Sequence, residues 1–320
     1  MNDGVTGFLT AADPLSLNGI YRWGLDLIKH IQLMESPPLT ALIRILTWGG
    51  SVFFFIPVLL FIIWCADEKK GLRLGLLLLF SAWLNFFLKD LFQQPRPCQL
   101  DPSVGLSPEP GYGLPSAHAQ LSLVFLLPVS FWLGKQSARL PLCITLGSLL
   151  TLIIGFTRLY LGVHFPTDIL AGWLTGGLIL GFYALAGPSI ERALNAGGNR
   201  IKMISCAAMA LLMNALGPDI RLGALFLGFG TGYCLMRLRF PFSARTGAGE
   251  RTLRCIAGIL GTVITALVFR ILSRGEAALP QDYHRLARFI RYGLLGLWPT
   301  AAAPWLFLHF RPGESRSGSR

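Results

Sequence analysis

The chain has 320 residues, of which 53% are hydrophobic and only 14% are charged, and this balance excludes an ordinary soluble domain. The formal net charge of +12 at pH 7 does not indicate a nucleic-acid-binding protein, because Lys and Arg also accumulate in the cytoplasmic loops of membrane proteins. The six cysteines do not form a disulfide framework, since all except Cys98 lie in or beside apolar segments.

The first segment, residues 1–38, is predicted to be a loose tail followed by an amphipathic interfacial helix. Within residues 17–34, apolar residues recur at spacings of three and four with charged residues between them, a pattern typical of a helix on the membrane surface. The same pattern is equally compatible with a helix that packs on a bundle. Pro37 and Pro38 are predicted to end this helix.

The rest of the chain is predicted to form an all-α, polytopic membrane bundle of about nine transmembrane helices, because apolar runs long enough to cross a bilayer recur along it. Five runs belong to residues 39–188, the predicted core, at about 40–66, 71–94, 116–135, 139–161 and 166–188. Four runs belong to a C-terminal membrane-spanning extension, residues 189–320, at about 203–217, 221–237, 254–272 and 289–310.

Three short polar clusters interrupt this apolar sequence between residues 89 and 168. Ionisable side chains at membrane depth are costly unless they meet partners, so the clusters are predicted to converge on one site. Cations together with histidines describe a pocket for an oxyanion, and phosphate is the first candidate. The ionisable members of the clusters are Lys89, Arg96, His118, Arg158, His164 and Asp168.

The first two clusters lie at helix ends. Lys89 and Arg96 are predicted at the mouth of the second span and just beyond it, where each is able to donate to one phosphate. Ser116 is the predicted N-cap of the third span. Its position would direct the free amides of Ala117 and His118 outward, and such helix starts bind anions readily.

The third cluster joins the fourth and fifth spans. Arg158 is predicted at the end of the fourth span, and His164 and Asp168 are predicted around the first turn of the fifth. A separation of four residues places the imidazole and the carboxylate on one helix face. A carboxylate in contact with an imidazole fixes its tautomer and stabilises its cationic form.

The ordered pattern Lys-x6-Arg-Pro, Pro-Ser-x-His and Arg-x5-His-x3-Asp resembles the three-part signature of the type-2 phosphatidic acid phosphatase superfamily. Lipid phosphate phosphatases, glucose-6-phosphatase and vanadium haloperoxidases belong to it, and the resemblance makes residues 39–188 the phosphatase core. Ala117 stands where glycine is common, and Thr157 stands where serine is common. Within the superfamily, the large number of spans is similar to glucose-6-phosphatase and to the sphingosine-1-phosphate phosphatases. The local sequences from Lys89 to Cys98 and from Tyr112 to Ser116 are more similar to the second of these groups.

The resemblance implies a two-step hydrolysis that uses no metal and no cofactor. His164 would attack phosphorus and form a phosphohistidine while Asp168 holds its ring. His118 would protonate the leaving oxygen and then activate water. The groups that would neutralise the phosphate oxygens are Lys89, Arg96, Ser116, the Ala117 amide and Arg158.

We therefore interpret the chain as a phosphoric monoester hydrolase that acts on a lipid phosphate, or a lipid diphosphate, at the extracytoplasmic face of a membrane. The expected partners are the lipid substrate and the bilayer, and no nucleic acid. A sugar-phosphate phosphatase, a lipid phosphotransferase and a transporter that only binds phosphate are compatible with the same residues. Asp101 and Glu109, in the Pro- and Gly-rich loop after Arg96, are expected to be solvated, although that loop is placed to cover the pocket.

The distribution of Lys and Arg among the loops predicts the orientation. If the loop with Lys69, Lys70 and Arg73 is cytoplasmic, the intervening outer loops are much poorer in cations, apart from the site residues and residues 274–291. This arrangement predicts a cytoplasmic C-terminus and places all three clusters on the extracytoplasmic side. The other cytoplasmic cations are Lys135, Arg139, Arg192, Arg200, Lys202, Arg237, Arg239, Arg245, Arg251, Arg254, Arg311, Arg316 and Arg320.

A thiol test checks this orientation. An impermeant maleimide added to intact cells or right-side-out vesicles should label Cys98, because its loop is predicted to face outward and a loop thiol is free to ionise. A Lys70→Cys variant is the control and should react only after the membrane is opened. If Lys70→Cys reacts from outside while Cys98 requires permeabilisation, the topology is inverted.

Overall fold

The computed structural model describes residues 19–239, 242–276 and 280–309, and every regular element in these ranges is helical. The all-α prediction is therefore confirmed for this part of the chain. The predicted loose tail, residues 1–16, and the predicted cytoplasmic cations Arg311, Arg316 and Arg320 lie outside the described residues.

Thirteen α-helices make up the described ranges, with π-helical turns at Ile62–Ala66 and Trp298–Ala302 and a 3₁₀ turn at Pro102–Val104. In chain order they are α1 Gly19–Gln32, α2 Pro37–Trp48, α3 Val52–Phe61, α4 Glu68–Phe92, α5 Pro97–Leu100, α6 Ala117–Gln136, α7 Leu140–Tyr160, α8 Pro166–Ala196, α9 Gly198–Leu216, α10 Ile220–Arg239, α11 Ala248–Glu276, α12 Gln281–Leu297 and α13 Ala303–His309.

Five described stretches are long and apolar enough to cross a membrane. They are Glu68–Leu100, which contains α4 and α5, then α6, α7, α8 and the part of α11 up to Ser273. The pair α2 and α3, with its π-helical end, is bent by 42° and makes a sixth span if it counts as one. A multi-pass membrane protein is thus confirmed, but the prediction of nine spans is not. Helix α12 has only 17 residues and carries Arg285, Arg288 and Arg291, so an apolar run in the sequence does not make it a qualifying span.

The chain divides into two compact units. The first unit contains the described residues up to Phe55 together with Leu84–Phe182, and the second contains Ile56–Trp83 together with the described residues from Tyr183 onward. These units group residues 56–83 with the C-terminal helices, whereas the predicted segments 1–38, 39–188 and 189–320 follow the chain in order. The segment boundaries stay a prediction, because hydropathy locates helices without indicating which of them pack together.

Helix α1 packs within the first unit, against the loop after Arg96 and the start of α8. Its buried Leu25 and Ile28 contact Val104 and Phe165, and Lys29 forms an ion pair of 2.7 Å with Asp101. The sequence pattern left open whether this helix packs on other helices, and it does. Its predicted position at the membrane surface stays a prediction. Asp101, expected to be solvated, is partly exposed and has a cationic partner on α1.

Within the first unit, buried polar side chains join the end of α4 to α6 and α2 to α7. Asn85 of α4 donates to Gln120 of α6 over 2.8 Å and to the carbonyl of Pro115 over 3.2 Å. The hydroxyls of Thr40 and Tyr160 are 2.8 Å apart and join α2 to the end of α7. Such buried bonds fix the helix ends that carry the polar clusters, since leaving a buried donor unpaired is costly.

In the second unit, α10 and α12 approach each other through glycines. A Cβ atom added to Gly228 would lie 1.9 Å from the carbonyl oxygen of Gly293, and one added to Gly296 would lie 2.3 Å from the carbonyl oxygen of Leu225. Both distances are far below van der Waals contact, so the two backbones require residues without side chains at this crossing.

Replacing Gly228 with alanine should therefore destabilise the protein. The added methyl group meets backbone rather than a flexible side chain, and overpacking of this kind costs about 1–3 kcal/mol. Gly177→Ala is the matched control in α8, where an added Cβ has no atom within 4 Å. Thermal unfolding of the detergent-purified variants should show a lower midpoint for Gly228→Ala and no decrease for Gly177→Ala. Equal midpoints would contradict the close contact.

Candidate active site

All three polar clusters lie in the first unit. Lys89 is in the last turn of α4, Arg96 immediately precedes α5, and Ser116 occupies the N-cap position of α6. The backbone amide of Ser116 donates to the carbonyl oxygen of Asp168 over 2.9 Å, which joins the second cluster to the third. The structure thus brings together residues that are as many as 79 positions apart, from Lys89 to Asp168.

His164 and Asp168 form the centre of the site. The imidazole lies between α7 and α8 with Nδ1 3.1 Å from Oδ2 of Asp168, which is in the first turn of α8. The same carboxylate accepts from the amide of Phe165 over 2.9 Å and from Gln94 over 2.8 Å. A carboxylate held in this way keeps the proton on Nδ1 and leaves the lone pair of the ring on Nε2.

The surroundings keep His164 neutral. Its imidazole is buried, and burial followed by the nearby cations Arg96, Lys89 and Arg158 holds its pKa well below the ordinary value. A neutral ring with a free Nε2 lone pair is the form that attacks phosphorus. In this structure, however, Nε2 is 3.1 Å from a guanidinium nitrogen of Arg96.

The three cations of the clusters bind the loop that precedes α6. Arg96 donates to the carbonyl of Gly111 over 3.1 Å. Lys89 donates to the carbonyls of Tyr112 and Gly113 over 2.6 and 2.9 Å. Arg158, which is buried at the end of α7, donates to Thr47 over 2.8 Å and to Glu109.

Glu109 is the main residue that sequence reasoning missed. Its carboxylate pairs with Arg158 and lies 3.3 Å from Arg96, so the expectation that Glu109 is solvated is wrong. Burial alone would raise the pKa of this carboxyl, but Arg158, His118 and Arg96 bring it below the ordinary value. The available signal was charge balance, since three cations at membrane depth require more than the single carboxylate of Asp168.

Two polar atoms in the site have no hydrogen-bond partner among the described residues. These atoms are Oγ of Ser116 and Nε of Arg158, and both are buried. Ser116 stands at the predicted N-cap position, but its side chain does not cap α6. Ala117 opens the same helix, so its amide has no acceptor within the helix. Unpaired buried donors are costly unless a ligand completes them, and an oxyanion would accept from these groups.

No metal centre is apparent in the described part of the chain, where groups of three or more His, Cys, Asp or Glu side chains suited to one ion do not occur. The prediction of metal-free chemistry remains a prediction. The charge that a metal would supply at a phosphate site is present as Lys89, Arg96 and Arg158.

Comparison with known proteins identifies the family. Residues 70–190 match the PAP2 superfamily, and residues 220–315 match the PAP2 superfamily phosphatase, transmembrane extension. The chain belongs to the PAP2 superfamily. The second of these models is that of a phosphatase, and the similar proteins are named phosphatases. The chain is therefore a PAP2 phosphatase, and the resemblance noted in the sequence is confirmed.

Three relatives show the range of proteins similar to this PAP2 chain. The undecaprenyl-diphosphatase of Sulfolobus acidocaldarius is 28% identical over 166 residues, which cover 49% of this chain and 75% of the relative. The lipid phosphate phosphatase delta of Arabidopsis thaliana is 29% identical, with 61% and 50% covered. The sphingosine-1-phosphate phosphatase 1 of Mus musculus is 29% identical, with 45% and 34% covered. The chain thus spans half or less of the length of the last two.

The unpaired hydroxyl of Ser116 leads to a test of the anion site. Ser116→Ala should leave the thermal midpoint of the ligand-free protein unchanged or raise it, because the variant removes a buried hydroxyl without a partner. It should weaken binding of vanadate, a phosphate analogue, by on the order of tenfold, the effect of one lost hydrogen bond to a charged group. Calorimetric titration and thermal unfolding measure the two effects.

Ser122→Ala is the matched control on the same helix. The hydroxyl of Ser122 is also buried, but it donates to the carbonyl of Ala119 over 3.1 Å. Its removal should not change the affinity for vanadate. Unchanged vanadate binding in Ser116→Ala, together with a lower midpoint, would show that the hydroxyl serves the fold instead.

Proposed function

We propose that this PAP2 phosphatase hydrolyses a lipid phosphate, as a monoester or a diphosphate, at the extracytoplasmic face of its membrane through a phosphohistidine and without a metal. The observation that carries the proposal is the pair of unpaired buried groups, Ser116 Oγ and Arg158 Nε, in the same unit as a neutral, carboxylate-oriented His164. Buried donors that lack a partner and lie close to a nucleophile are able to bind an oxyanion that reacts with it.

In the first step, the lone pair on Nε2 of His164 forms a bond to phosphorus, and the bond from phosphorus to the lipid oxygen breaks. His118, with a proton on its ring, donates that proton to the departing oxygen. Positive charge develops on the His164 ring, and Asp168 stabilises it through the proton on Nδ1. Arg96, Lys89 and Arg158 neutralise the oxygens of the transferring group.

In the second step, His118 is neutral and accepts a proton from water. The hydroxide formed in this way bonds to phosphorus, the bond between phosphorus and Nε2 breaks, and inorganic phosphate leaves. His164 returns to its neutral form and His118 to its protonated form. Each histidine therefore ends the cycle as it began, and one water molecule is consumed for each phosphate released.

A lipid suits the surroundings of the site better than a sugar phosphate. Phe86, Leu91 and Phe92 lie on α4 close to Lys89 in sequence, and their side chains are about half exposed or more. Apolar side chains on a membrane-spanning helix face lipid, so an acyl or prenyl chain is able to stay in the bilayer while its phosphate meets the cations. The names of the three relatives, which are all phosphatases of lipid-linked phosphates, support the same substrate class.

Replacement of His164 and replacement of His118 by alanine should have different effects on turnover and on the phosphoenzyme. Purified wild-type protein should release phosphate from lipid phosphates in the presence of a chelator. His164→Ala should lower the turnover by at least about a thousandfold and never form a labelled phosphoenzyme, because it lacks the nucleophile. His118→Ala should lower turnover by about a hundredfold or more, as expected for loss of a general acid and base. Phosphate release and trapping of labelled protein at alkaline pH measure these effects.

His30→Ala is the control, because His30 is an exposed histidine of α1 and its loss should leave turnover unchanged. Covalent phosphate trapped on His164→Ala would refute the assignment of the nucleophile. A wild-type protein that binds vanadate but releases no phosphate from any lipid or sugar phosphate would be a binding protein or a transporter rather than an enzyme.

A further inference from the structure

The loop before α6 ends in a short segment that occupies the cations of the active site. We call this segment, residues 109–113, the loop tip. Lys89 donates to the carbonyls of Tyr112 and Gly113, and Arg96 donates to those of Gly111 and Pro110. All three cations assigned to phosphate thus bind the loop tip, because Arg158 binds Glu109.

Glu109 makes the contacts that a phosphate would make. One oxygen of its carboxylate pairs with Arg158, and the other lies 3.3 Å from Arg96. Two guanidinium groups that share one planar anion form the arrangement typical of phosphate and carboxylate recognition. The side chain is 31% exposed, so it reaches the site from the solvent side, and its neighbours Pro108 and Pro110 are exposed.

The loop has a fixed base and a separate tip. At the base, Gln32 donates to the carbonyl of Val104 over 2.9 Å, and Arg44 donates to the carbonyl of Leu106 over 2.9 Å. The tip is held by the site cations and by two further bonds, from the amide of Gly113 to the carbonyl of Gln94 over 2.7 Å and from Gln99 to the carbonyl of Gly111 over 3.2 Å. Gly111 has a φ of +77°, a conformation that glycine adopts without strain. Movement of Glu109 away from the site therefore breaks none of the bonds of the base, and Gly113 is the anchor on the other side of the tip.

We propose that Glu109 is an internal anion that closes the phosphate site of the ligand-free enzyme and that the phosphate of the substrate displaces it. In the closed state Arg96 also donates to Nε2 of His164, which occupies the lone pair of the nucleophile. A phosphate that binds Arg96 and Arg158 in place of Glu109 would draw the N–H of Arg96 away from Nε2, while the bond from Arg96 to the carbonyl of Val163, 3.0 Å long, keeps the guanidinium group beside the ring. This assignment rests on the proposed phosphatase activity, and it concerns how the same site is kept closed.

A different role for Glu109 gives the opposite result in a binding experiment. If Glu109 only positions Arg96 and Arg158, its loss should weaken anion binding. If Glu109 competes with phosphate, its loss should strengthen anion binding, because the competitor is removed. Glu109→Gln keeps the shape of the side chain and removes the charge, so it separates the two roles.

The test is a calorimetric titration of detergent-purified protein with vanadate. Glu109→Gln should bind vanadate more tightly than the wild type by on the order of tenfold, the effect of removing one charge-assisted contact that the ligand must otherwise break. Asp101→Asn is the matched control, since Asp101 is a carboxylate of the same loop that pairs with Lys29 at the base. Its affinity for vanadate should equal that of the wild type.

Equal or weaker binding in Glu109→Gln overturns the proposal, and so does equal tightening in both variants, which would indicate a general loosening of the loop. The titration needs no turnover. A wild-type protein that binds vanadate but hydrolyses no lipid phosphate would refute the proposed function alone. Turnover without tighter binding in Glu109→Gln would refute the internal anion alone. Absence of vanadate binding in both proteins would refute both.

A measurement on the wild type keeps the proposal testable if Glu109→Gln does not fold. Vanadate should increase deuterium uptake in peptides that contain residues 109–113 and leave uptake at residues 101–106 unchanged. Ligands usually slow exchange where they bind, so faster exchange at the loop tip is specific to displacement. Slower or unchanged uptake at the tip would overturn the proposal.

Discussion

Charge balance around three buried or half-buried cations is the constraint on which the first unit depends. Lys89, Arg96 and Arg158 come from three different helix ends, and moving each of them out of water is costly unless anions and carbonyl oxygens surround it. Glu109 and the carbonyls of the loop tip supply those acceptors. The cations therefore order the loop, and the loop in turn holds the cations close to His164.

The meeting of the polar clusters could be predicted from the sequence, because ionisable side chains in apolar segments are costly unless they pair with one another. The spacing of His164 and Asp168 also predicted their contact, which the structure shows at 3.1 Å. The role of Glu109 could not be predicted in this way. It lies in a loop without periodicity, and a Glu between two prolines on a loop is usually solvated.

The positions of the helices were predicted more accurately than the number of helices that cross the membrane. Hydropathy located apolar runs, but it could not show that the first run breaks between α2 and α3, where Gly49 and Gly50 permit a bend. A Cβ atom on Gly50 would lie 2.5 Å from Ile154 and 3.1 Å from the ring of His118. The break thus places backbone against a predicted catalytic residue, a tertiary contact that local sequence does not contain. The periodicity of apolar residues likewise could not predict that residues 56–83 pack with the second unit.

If Glu109 closes the phosphate site, the same ion pairs stabilise the ligand-free protein and oppose its substrate. A single carboxylate carries one negative charge, whereas a terminal phosphate carries nearly two at neutral pH. In a site of low dielectric, the extra charge gives the phosphate an advantage over Glu109 for two guanidinium groups. A phosphodiester has one charge and only two unesterified oxygens to offer the guanidinium groups, so it would compete with Glu109 less well than a terminal phosphate does. Charge exchange at Arg96 and Arg158 would then select terminal phosphates before any chemistry takes place.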